Sequence, residues 1–368
     1  MIEPHVSRQW ITPALVVSYE QTRANLQTML EVAGSPERLR PHCKTHKMPA
    51  LIRLWLELGV TRHKCATLAE AEMVAAAGAP DVLLAYTVVG ANIPRVLSFR
   101  RKFPEVRLTI LVDHPRPLAE LSQALDDADT DVAVLLDVAT GMRRTGVPPG
   151  EDAIGLYQTI CRTPRVEPAG FHWYDGHQHQ RDPDERREAV LSEWVQCREL
   201  REELESQGLA VPQVVVGGTG SFPIYAQLTD PGLELSPGTC VFHDAGYSDA
   251  FPDLPFTPAA HLLTRVISRP TADRVTLDLG YKAVASDPPP EKRVVFPRLP
   301  DARIVLQNEE HLVLETAQAG RFGPGDQLWG IPWHICPTSA LHKEAIVVRD
   351  GREYARWAVA ARDRRLTI

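Results

Sequence analysis

Two kinds of segment alternate along the chain between about residue 12 and residue 245. Short runs of β-branched and aliphatic residues are followed by longer segments in which apolar residues recur three and four positions apart. This pattern is typical of strands that alternate with helices in a parallel sheet or barrel. Roughly eight βα units fit, so we predict an α/β fold with a TIM-type (β/α)8 barrel over residues 13–245. The predicted strands are 14–17, 39–42, 63–66, 82–84, 108–112, 132–136, 168–172, 214–217, and 234–235 with 240–242.

The pattern changes after about residue 246, where shorter strand-like runs are separated by glycine and proline. No helix of convincing length is indicated in this part of the sequence. These features predict an antiparallel β domain built from hairpins. We expect this domain to span residues 246–368 and to be completed by residues 1–12. Its predicted strands are 261–268, 274–279, 303–307, 311–316, 344–349 and 353–358.

Composition narrows the classes of function. The 368-residue chain has a net charge of −7, whereas a general nucleic-acid-binding protein normally has a basic balance. It has no apolar run of the ~20 residues that a membrane span requires, and residues 1–10 lack a secretory signal pattern. The six cysteines form no CxxC pair, so we expect reduced thiols and no disulfide framework. We therefore expect a cytoplasmic protein that binds small molecules and neither nucleic acid nor a membrane.

The segment Arg40–Lys47 (RPHCKTHK) places two lysines and two histidines at the end of the strand predicted at 39–42 and just beyond it. A lysine that forms a Schiff base must be neutral part of the time, and neighbouring cations lower the pKa of a lysine by like-charge repulsion. Lys44 is a candidate for such an anchor, with Arg40 and Lys47 as the neighbouring cations. A basic, solvated loop is the alternative, and the octapeptide alone favours that alternative.

Further polar clusters follow other predicted strands, which is where the reacting groups of a TIM barrel lie. The segment HWYDGHQH at 172–179 contains three histidines, among them His177 and His179, together with Tyr174 and an acid. Such a concentration of polar groups is hard to explain by packing. The cluster TGMRRTG at 140–146 offers an arginine that could bind a carboxylate or a cofactor oxygen in a forked geometry. We expect one of its two arginines to be exposed.

A glycine-rich turn, GGTGS at 217–221, follows the strand predicted at 214–217. Its glycines let backbone N–H groups approach an anion closely, and Thr219 and Ser221 add hydroxyl donors. The turn is a candidate phosphate site of the type found late in TIM barrels. It matches neither a Walker loop nor a dinucleotide fingerprint, and a plain tight turn is the alternative.

His334 and Cys336 form a candidate metal site in the predicted β domain. They are two positions apart in WHICPT, and residues with this spacing face the same side of an extended segment. An imidazole and a thiolate together suit Zn²⁺ better than Mg²⁺ or Ca²⁺. Two ligands are few, however, and a buried cysteine beside a surface histidine is the alternative.

These motifs together resemble the fold-type III pyridoxal-phosphate enzymes, the alanine racemase-like group. RPHCKTHK is similar to the RPHxKTHK segment of its D-threonine aldolase and D-serine dehydratase branch. HICPT at 334–338 resembles the HxCPT metal motif of that branch, which alanine racemases lack. Further similar segments, which extend the resemblance over the whole chain, are TGMRRTG, GGTGS, and PGTCVFHD at 237–244 with Cys240 in place of the usual tyrosine.

The resemblance implies a pyridoxal 5'-phosphate cofactor carried by Lys44, with Lys47 outside that role. It also implies a divalent metal, Zn or Mn, held by His334 and Cys336. The further cofactor-binding residues that it implies are Arg144, Tyr174, Gly218, Thr219 and Gly220.

By the same resemblance we predict an aldolase that cleaves the Cα–Cβ bond of D-β-hydroxy amino acids to glycine and an aldehyde. His177 and His179 are the candidate bases, because imidazole titrates near neutrality. One alternative is a D-serine or D-3-hydroxyaspartate dehydratase, which would give a 2-oxo acid and ammonia. Less favoured are an amino-acid racemase and a non-catalytic cofactor carrier. The resemblance also suggests a homodimer in which the β domain of one subunit completes the site of the other.

Overall fold

The computed structural model describes residues 7–368, and its first elements are β1 (Ala14–Ser18) and α1 (Tyr19–Ala33). The next seven strands form one sheet in which neighbouring strands are parallel and follow chain order. They are β2 (Arg62–Cys65), β3 (Asp81–Thr87), β4 (Arg107–Val112), β5 (Val132–Val138), β6 (Val166–Trp173), β7 (Gln213–Val216) and β8 (Leu233–Leu235).

Helices precede and connect these strands, as the alternating pattern predicts. They are α2 (Pro49–Glu57), α3 (Leu68–Ala76), α4 (Asn92–Lys102), α5 (Pro115–Asp127), α6 (Glu151–Arg162), α7 (Pro183–Ser206) and α8 (Phe222–Tyr225). Side-chain caps fix where two of them begin. Thr67 accepts a hydrogen bond from Glu70 N at the start of α3, and Asp182 accepts from the first turn of α7. Strand β5 is buried at every position, as expected for a parallel sheet covered on both faces.

The segment 39–42 closes this sheet into a barrel. Leu39 bridges Leu235 of β8 and His42 bridges Lys64 of β2, both in parallel orientation. Lys64 N also donates a hydrogen bond to Pro41 O at 3.0 Å. Seven strands and this segment together occupy eight strand positions. The predicted (β/α)8 barrel is therefore confirmed.

The strand predicted at 14–17 forms, but its predicted place in the barrel is wrong. Strand β1 instead pairs with two strands of a second sheet, β9 (Ala260–Thr271) and β15 (Glu344–Arg349). The residues predicted as a strand at 240–242 lie instead in and beside a 3₁₀ turn, Thr239–Val241. A short apolar run indicates a buried segment, but it carries no information about the segment with which it pairs.

The second sheet contains all six strands predicted after residue 246, and it is antiparallel apart from the parallel pair β1 and β15. Its strands not yet named are β10 (Arg274–Leu277), β11 (Val294–Val295), β12 (Arg303–Gln307), β13 (Leu312–Glu315), β14 (Gln327–Pro332) and β16 (Arg352–Ala358). The sequence did not predict β11, β14 or the short helices α9 (Ala245–Ala250) and α10 (Ile335–Leu341). A buried cluster that includes Leu262, Val275, Leu277, Leu312 and Leu314 forms a core beside this sheet.

The described part of the chain divides into two compact units. The β unit comprises residues up to 28, 45–48 and 239–362, and the barrel unit comprises 29–44, 49–238 and 363–368. Residues 13–28 group with the β unit, which contains the partners of β1. The domain limits 13–245 and 246–368 with 1–12 stay a prediction, and residues 1–6 of that prediction lie outside the described residues. Among the described helices, none has the length and apolar character needed to cross a bilayer.

Candidate active site

Lys44 lies just after the segment that closes the barrel, within a 3₁₀ turn at Cys43–Thr45. Its side chain is half-buried, and its backbone N–H donates to His42 Nδ1 at 3.3 Å. The Lys44 amine lies 5.8 Å from the centre of the Tyr174 ring. Tyr174 directly follows β6, so both residues lie at the carboxyl ends of barrel strands, as predicted.

Tyr174 is surrounded by cationic side chains. Besides Lys44, the Arg144 guanidinium carbon lies 5.0 Å and the Lys64 amine 5.7 Å from the ring centre. The ring of His172 is stacked at 6.4 Å with an interplanar angle of 11°. The structure thus brings together three of the predicted site residues, Lys44, Arg144 and Tyr174. Three cations around one aromatic ring are suited to an anionic, planar ligand.

A chain of buried polar side chains reaches this ring from inside the barrel. Asp137 and His172 are register partners on β5 and β6, and Asp137 Oδ1 lies 2.7 Å from His172 Nδ1. The other ring nitrogen of His172, Nε2, lies 3.4 Å from the Lys64 amine. Burial, followed by the charge of Lys44, lowers the pKa of Lys64 to about 7. Burial and the charge of Lys64 lower the pKa of His172 as well.

Sequence reasoning did not single out Lys64. A signal was present, because Lys64 is a charged residue near the carboxyl end of a predicted barrel strand, the same position that favoured Lys44. His172 belongs to the segment 172–179 that the sequence did indicate, and Asp137 directly follows the strand predicted at 132–136, but their contact with each other could not be read from their spacing.

The candidate bases His177 and His179 are placed differently from each other. His177 Nε2 lies 2.7 Å from Glu193 Oε1 of α7, and a Cβ added at Gly141 would lie only 2.4 Å from the same nitrogen. His177 is therefore held between α7 and the segment 140–146. His179 is exposed. Their role as bases stays a prediction.

The backbone of the glycine-rich turn lies so close to neighbouring rings that a side chain at Gly217 or Gly218 would crowd them. Gly217 has φ +73°, and a Cβ there would lie 2.9 Å from a Tyr225 ring carbon. A Cβ at Gly218 would lie 3.2 Å from the Tyr174 ring, so the turn approaches the same ring as the cations. Thr219 and Gly220, the next two residues of the turn, are buried. A bulkier turn would fill this space, and the residues present fit the phosphate-bearing cofactor that the motifs imply.

Ser221 and Asp175 stabilise the glycine-rich turn through two linked hydrogen bonds. Ser221 Oγ accepts a hydrogen bond from Gly218 N at 3.1 Å and donates one to Asp175 Oδ1 at 2.7 Å. Burial raises the pKa of Asp175 to about 6, although the hydrogen bond from Ser221 opposes this rise. Asp175 therefore fixes the orientation of the hydroxyl that holds the turn.

In the β unit, His334 and Cys336 do meet, but the predicted extended backbone is wrong. His334 is the N-cap of α10, and Cys336 lies in the first turn of that helix. Although burial opposes the charged imidazole, interactions with Cys336 and Asp287 raise the pKa of His334 to about 9. Cys336 Sγ also lies 3.2 Å from Thr45 Oγ1. The two side chains meet because the first turn of a helix brings the N-cap close to the residue two positions later. The extended strand that we expected is not needed for this contact.

The donor set fits a divalent metal. Asp287 Oδ2 lies 2.5 Å from His334 Nδ1, which leaves Nε2 as the nitrogen available to a metal. This carboxylate–histidine arrangement is the usual support of a metal-binding imidazole. A second carboxylate, that of Asp244, is buried next to α10 and accepts a hydrogen bond from Ile335 N at 3.0 Å.

A further group of potential ligands, His42, Cys43 and Glu70, lies in the barrel unit with its ligand atoms within 4.8 Å of one another. Glu70 Oε2 already accepts hydrogen bonds from Ala66 N at 2.6 Å and from Cys43 Sγ at 3.6 Å. These bonds anchor the start of α3, so we assign this group a structural role.

Comparison with known proteins identifies the family of this chain. The alanine racemase N-terminal domain model matches residues 17–245, and a D-serine dehydratase-like domain model matches residues 259–348. A D-threonine aldolase from Arthrobacter sp. is 33% identical over 359 residues, which are 95% of this chain and 92% of that protein. The chain belongs to the alanine racemase-like family. The resemblance drawn from the motifs is thereby confirmed, including its D-threonine aldolase and D-serine dehydratase branch.

Other members of this branch differ in the bond they break. A 3-hydroxy-D-aspartate aldolase from Paracoccus denitrificans is 29% identical, over 95% of this chain and 92% of that protein. A D-threo-3-hydroxyaspartate dehydratase from Delftia sp. is 26% identical, over 89% of this chain and 92% of that protein. The crystal structure of a D-threonine aldolase from Filomicrobium marinum superposes with a TM-score of 0.87, at 30% identity and 96% coverage of both chains. Aldolases and dehydratases are both lyases, so the expectation of a lyase is confirmed at the level of the family.

Proposed function

We propose that this protein is a pyridoxal-phosphate- and metal-dependent lyase of the D-threonine aldolase type. It cleaves the Cα–Cβ bond of D-β-hydroxy amino acids and releases glycine and an aldehyde. The observation that carries the proposal is the arrangement of Lys44, Lys64 and Arg144 around the Tyr174 ring. The glycine-rich turn approaches the same ring, because a Cβ added at Gly218 would lie 3.2 Å from a Tyr174 ring carbon. A cationic ring site beside a glycine turn matches a cofactor that has both a planar ring and a phosphate.

Pyridoxal phosphate, when bound, supplies a ring that takes up the electrons released when a bond to Cα of an amino acid breaks. Lys44 would hold it covalently, and Tyr174 would contact its ring. Gly218, Thr219 and Gly220 would hold its phosphate through backbone N–H groups, and Arg144 would bind an anionic oxygen. Each of these residues lies in the barrel unit.

His334 and Cys336 would hold the metal, with Asp287 orienting the imidazole. A bound divalent cation supplies a Lewis acid that polarises an oxygen of the substrate. Zn²⁺ is the metal that a nitrogen–sulfur donor pair prefers, and Mn²⁺ is the second candidate. A metal-free form of a D-threo-3-hydroxyaspartate dehydratase variant is among the solved structures of similar fold, which supports a removable metal in such proteins.

Cleavage of a β-hydroxy amino acid requires a base that accepts the hydroxyl proton. His177 and His179 are the imidazoles that we propose for this step. His177 fits better, because the Glu193 carboxylate 2.7 Å from its Nε2 would stabilise the imidazolium formed when the proton arrives. The exposed His179 would then serve to position the substrate.

The dehydratase is the second candidate, favoured by the similarity to the Delftia protein, which also extends over both units. In that reaction a base removes the α-proton, and the β-hydroxyl and then ammonia leave. A racemase would need no metal and would leave the His334 and Cys336 pair without a role. A non-catalytic cofactor carrier would have no need of the second sheet.

One experiment separates these candidates. The purified protein, loaded with pyridoxal phosphate, is incubated with D- and L-threonine, D-phenylserine, D-serine and D-threo-3-hydroxyaspartate, with and without a chelator. We expect glycine and aldehyde from the D-β-hydroxy substrates, and a loss of this activity with the chelator. Release of a 2-oxo acid with ammonia would establish the dehydratase, and D to L interconversion that survives chelation would establish a racemase.

We also propose a homodimer that acts in the cytoplasm on small D-amino acids, with no nucleic-acid or membrane partner. The acidic net charge of −7 supports the exclusion of nucleic acid. Light scattering of the purified protein tests the dimer, because a mass near twice 40.9 kDa is expected.

A further inference from the structure

Lys64 is the least expected side chain in the barrel. It is 2% exposed, and lysines are almost never fully buried unless they are paired with a counter-charge. Within the described residues, no carboxylate forms an ion pair with Lys64, and its amine makes its hydrogen-bond contact with His172 instead. A buried lysine whose partner is an imidazole calls for a functional explanation, because packing alone would favour an apolar residue.

The contact between Lys64 and His172 crosses the barrel interior. Lys64 belongs to β2 and His172 to β6, and these strands are not neighbours in the sheet. His172 in turn lies 2.7 Å from Asp137, through its other ring nitrogen. A carboxylate at Nδ1 keeps the proton of a neutral imidazole on that nitrogen, so Nε2 is left as an acceptor. The Lys64 ammonium is the donor that this acceptor meets.

The charges around Lys64 come from several elements. The carboxylates that favour its ammonium form are Asp137 on β5 and Asp175 after β6, while Lys44 and Arg40 disfavour it. Burial also disfavours the ammonium form, and together these effects lower the pKa of Lys64 to about 7. The Lys64 amine also faces the Tyr174 ring, and Arg144, on the segment after β5, lies over the same ring. A lysine with this pKa loses its proton near neutral pH, where an ordinary lysine stays charged.

We propose that Lys64 is a positioning residue of the lyase site that acts through His172, as the proton-exchanging end of an Asp137–His172–Lys64 chain. In its ammonium form Lys64 donates to Nε2 and holds His172 in the tautomer with the proton on Nδ1. When a proton passes along the chain, it moves from Lys64 Nζ to His172 Nε2, which leaves a neutral amine and an imidazolium facing the Asp137 carboxylate. No other bond changes, and the summed charge of the three groups stays the same.

This role rests on the proposed function, because it concerns the same site. The tautomer and the titration of His172 can nevertheless be measured without cofactor or substrate. His172 is observed in the apoprotein by nitrogen NMR of ¹⁵N-histidine-labelled protein, with Lys64→Met, Lys64→Arg and the exposed-lysine control Lys282→Met. In the wild type and in Lys282→Met we expect the Nδ1–H tautomer and an inflection near pH 7. Lys64→Arg should keep the tautomer and lose the inflection, because a guanidinium does not deprotonate in this range. Lys64→Met should lose both features.

An inflection that persists in both Lys64 variants, or a proton on Nε2 in the wild type, would overturn the proposal. If Lys64→Met fails to fold, Lys64→Arg together with the ¹³Cε signal of Lys64 in labelled wild-type protein decides the question.

In the active enzyme we expect Lys64→Met to lower kcat about a hundredfold with little change in KM. The variant should also lose the ionisation near neutral pH from the pH profile of its activity. A negative lyase assay with the expected NMR titration would reject the proposed function and leave the chain intact, whereas an active enzyme with an unchanged pH profile would reject the role of Lys64.

Discussion

Asp287 Oδ2 and His334 Nδ1 are 2.5 Å apart in the β unit, and this contact fixes which ring nitrogen is free to bind a metal. Because an imidazole held by a carboxylate at one nitrogen is more basic at the other, the pair would strengthen the metal site that we propose at Nε2. Cys336 follows two residues later, in the first turn of α10.

Replacing His334 or Cys336 by alanine should therefore abolish stoichiometric metal binding, which elemental analysis of the purified protein measures. Asp287→Asn should keep the metal but weaken its affinity by about 10- to 100-fold, because the imidazole loses its charged acceptor. His311→Ala, a change at an exposed histidine of the same unit, is the control and should retain wild-type metal content. Unchanged metal content in both His334→Ala and Cys336→Ala would reject this site.

Lys44→Ala should abolish the long-wavelength absorbance band of bound pyridoxal phosphate, because the covalent link to the protein is lost. Borohydride reduction of the loaded wild type, followed by peptide mapping, should place the cofactor on the peptide that contains Lys44. Lys47→Ala is the matched control from the same octapeptide and should keep the band. The anchor assignment fails if the band survives in Lys44→Ala and the label maps to another lysine.

Gly217→Ala should weaken both folding and cofactor binding. The left-handed φ of +73° costs an alanine roughly 1–2 kcal/mol, and its Cβ would also press on Tyr225. Gly208→Ala is a close control, because Gly208 has φ +76° but no atom within 4 Å of the added Cβ. Urea denaturation should show a loss in both variants and a larger one in Gly217→Ala, and cofactor titration should show weaker binding only in Gly217→Ala. Equal cofactor affinity in the two variants would contradict a role of the turn in phosphate binding.

Arg40→Met should destabilise the barrel by about 3 kcal/mol, because Asp81 loses this partner and the buried Glu234 keeps only Arg62, at 3.0 Å, as a counter-charge. Arg40 is buried, donates to Asp81 Oδ1 at 2.6 Å and also donates to Glu234. Arg107→Met removes an exposed ion pair with Glu167 at 2.8 Å and should cost no more than about 1 kcal/mol. The difference is measured by chemical denaturation, and similar losses in the two variants would contradict it.

Asp175→Asn should change the pH dependence of stability. Burial raises the folded-state pKa of Asp175 from 3.8 to about 6, so its stabilising contribution is complete below the unfolded value and is lost as the pH rises through about 6. Asparagine cannot ionise, so the variant should gain up to about 3 kcal/mol relative to the wild type between about pH 4 and pH 7. Unfolding free energies at both pH values measure this change, with the exposed Asp131→Asn as a control that should show none. A constant difference for Asp175→Asn would refute the buried titration.

Much of the site could be predicted from the sequence, because its parts are local. Lys44, Tyr174 and Arg144 each follow a strand that the apolar pattern indicates, and parallel strands bring their carboxyl ends to one edge. Lys64 has the same kind of position, but its burial and its contact with His172 could not be predicted, since a lysine at a strand end looks the same in the sequence whether it is solvated or buried. His334 and Cys336 were paired for the wrong reason, because their spacing suits the first turn of a helix as well as a strand.

The sequence by itself determined the alternation of strands and helices, the second region rich in strands and the motifs of the alanine racemase-like family, because these depend on periodicity and on neighbours in the chain. Only the tertiary structure decided that β1 joins the second sheet, that 39–42 closes the barrel, and that Lys64 meets His172 from across the interior. These pairings join residues 22 or more positions apart in the chain, and their energy comes from burial and complementary charge. Such terms depend on which surfaces meet, and no local pattern contains that information.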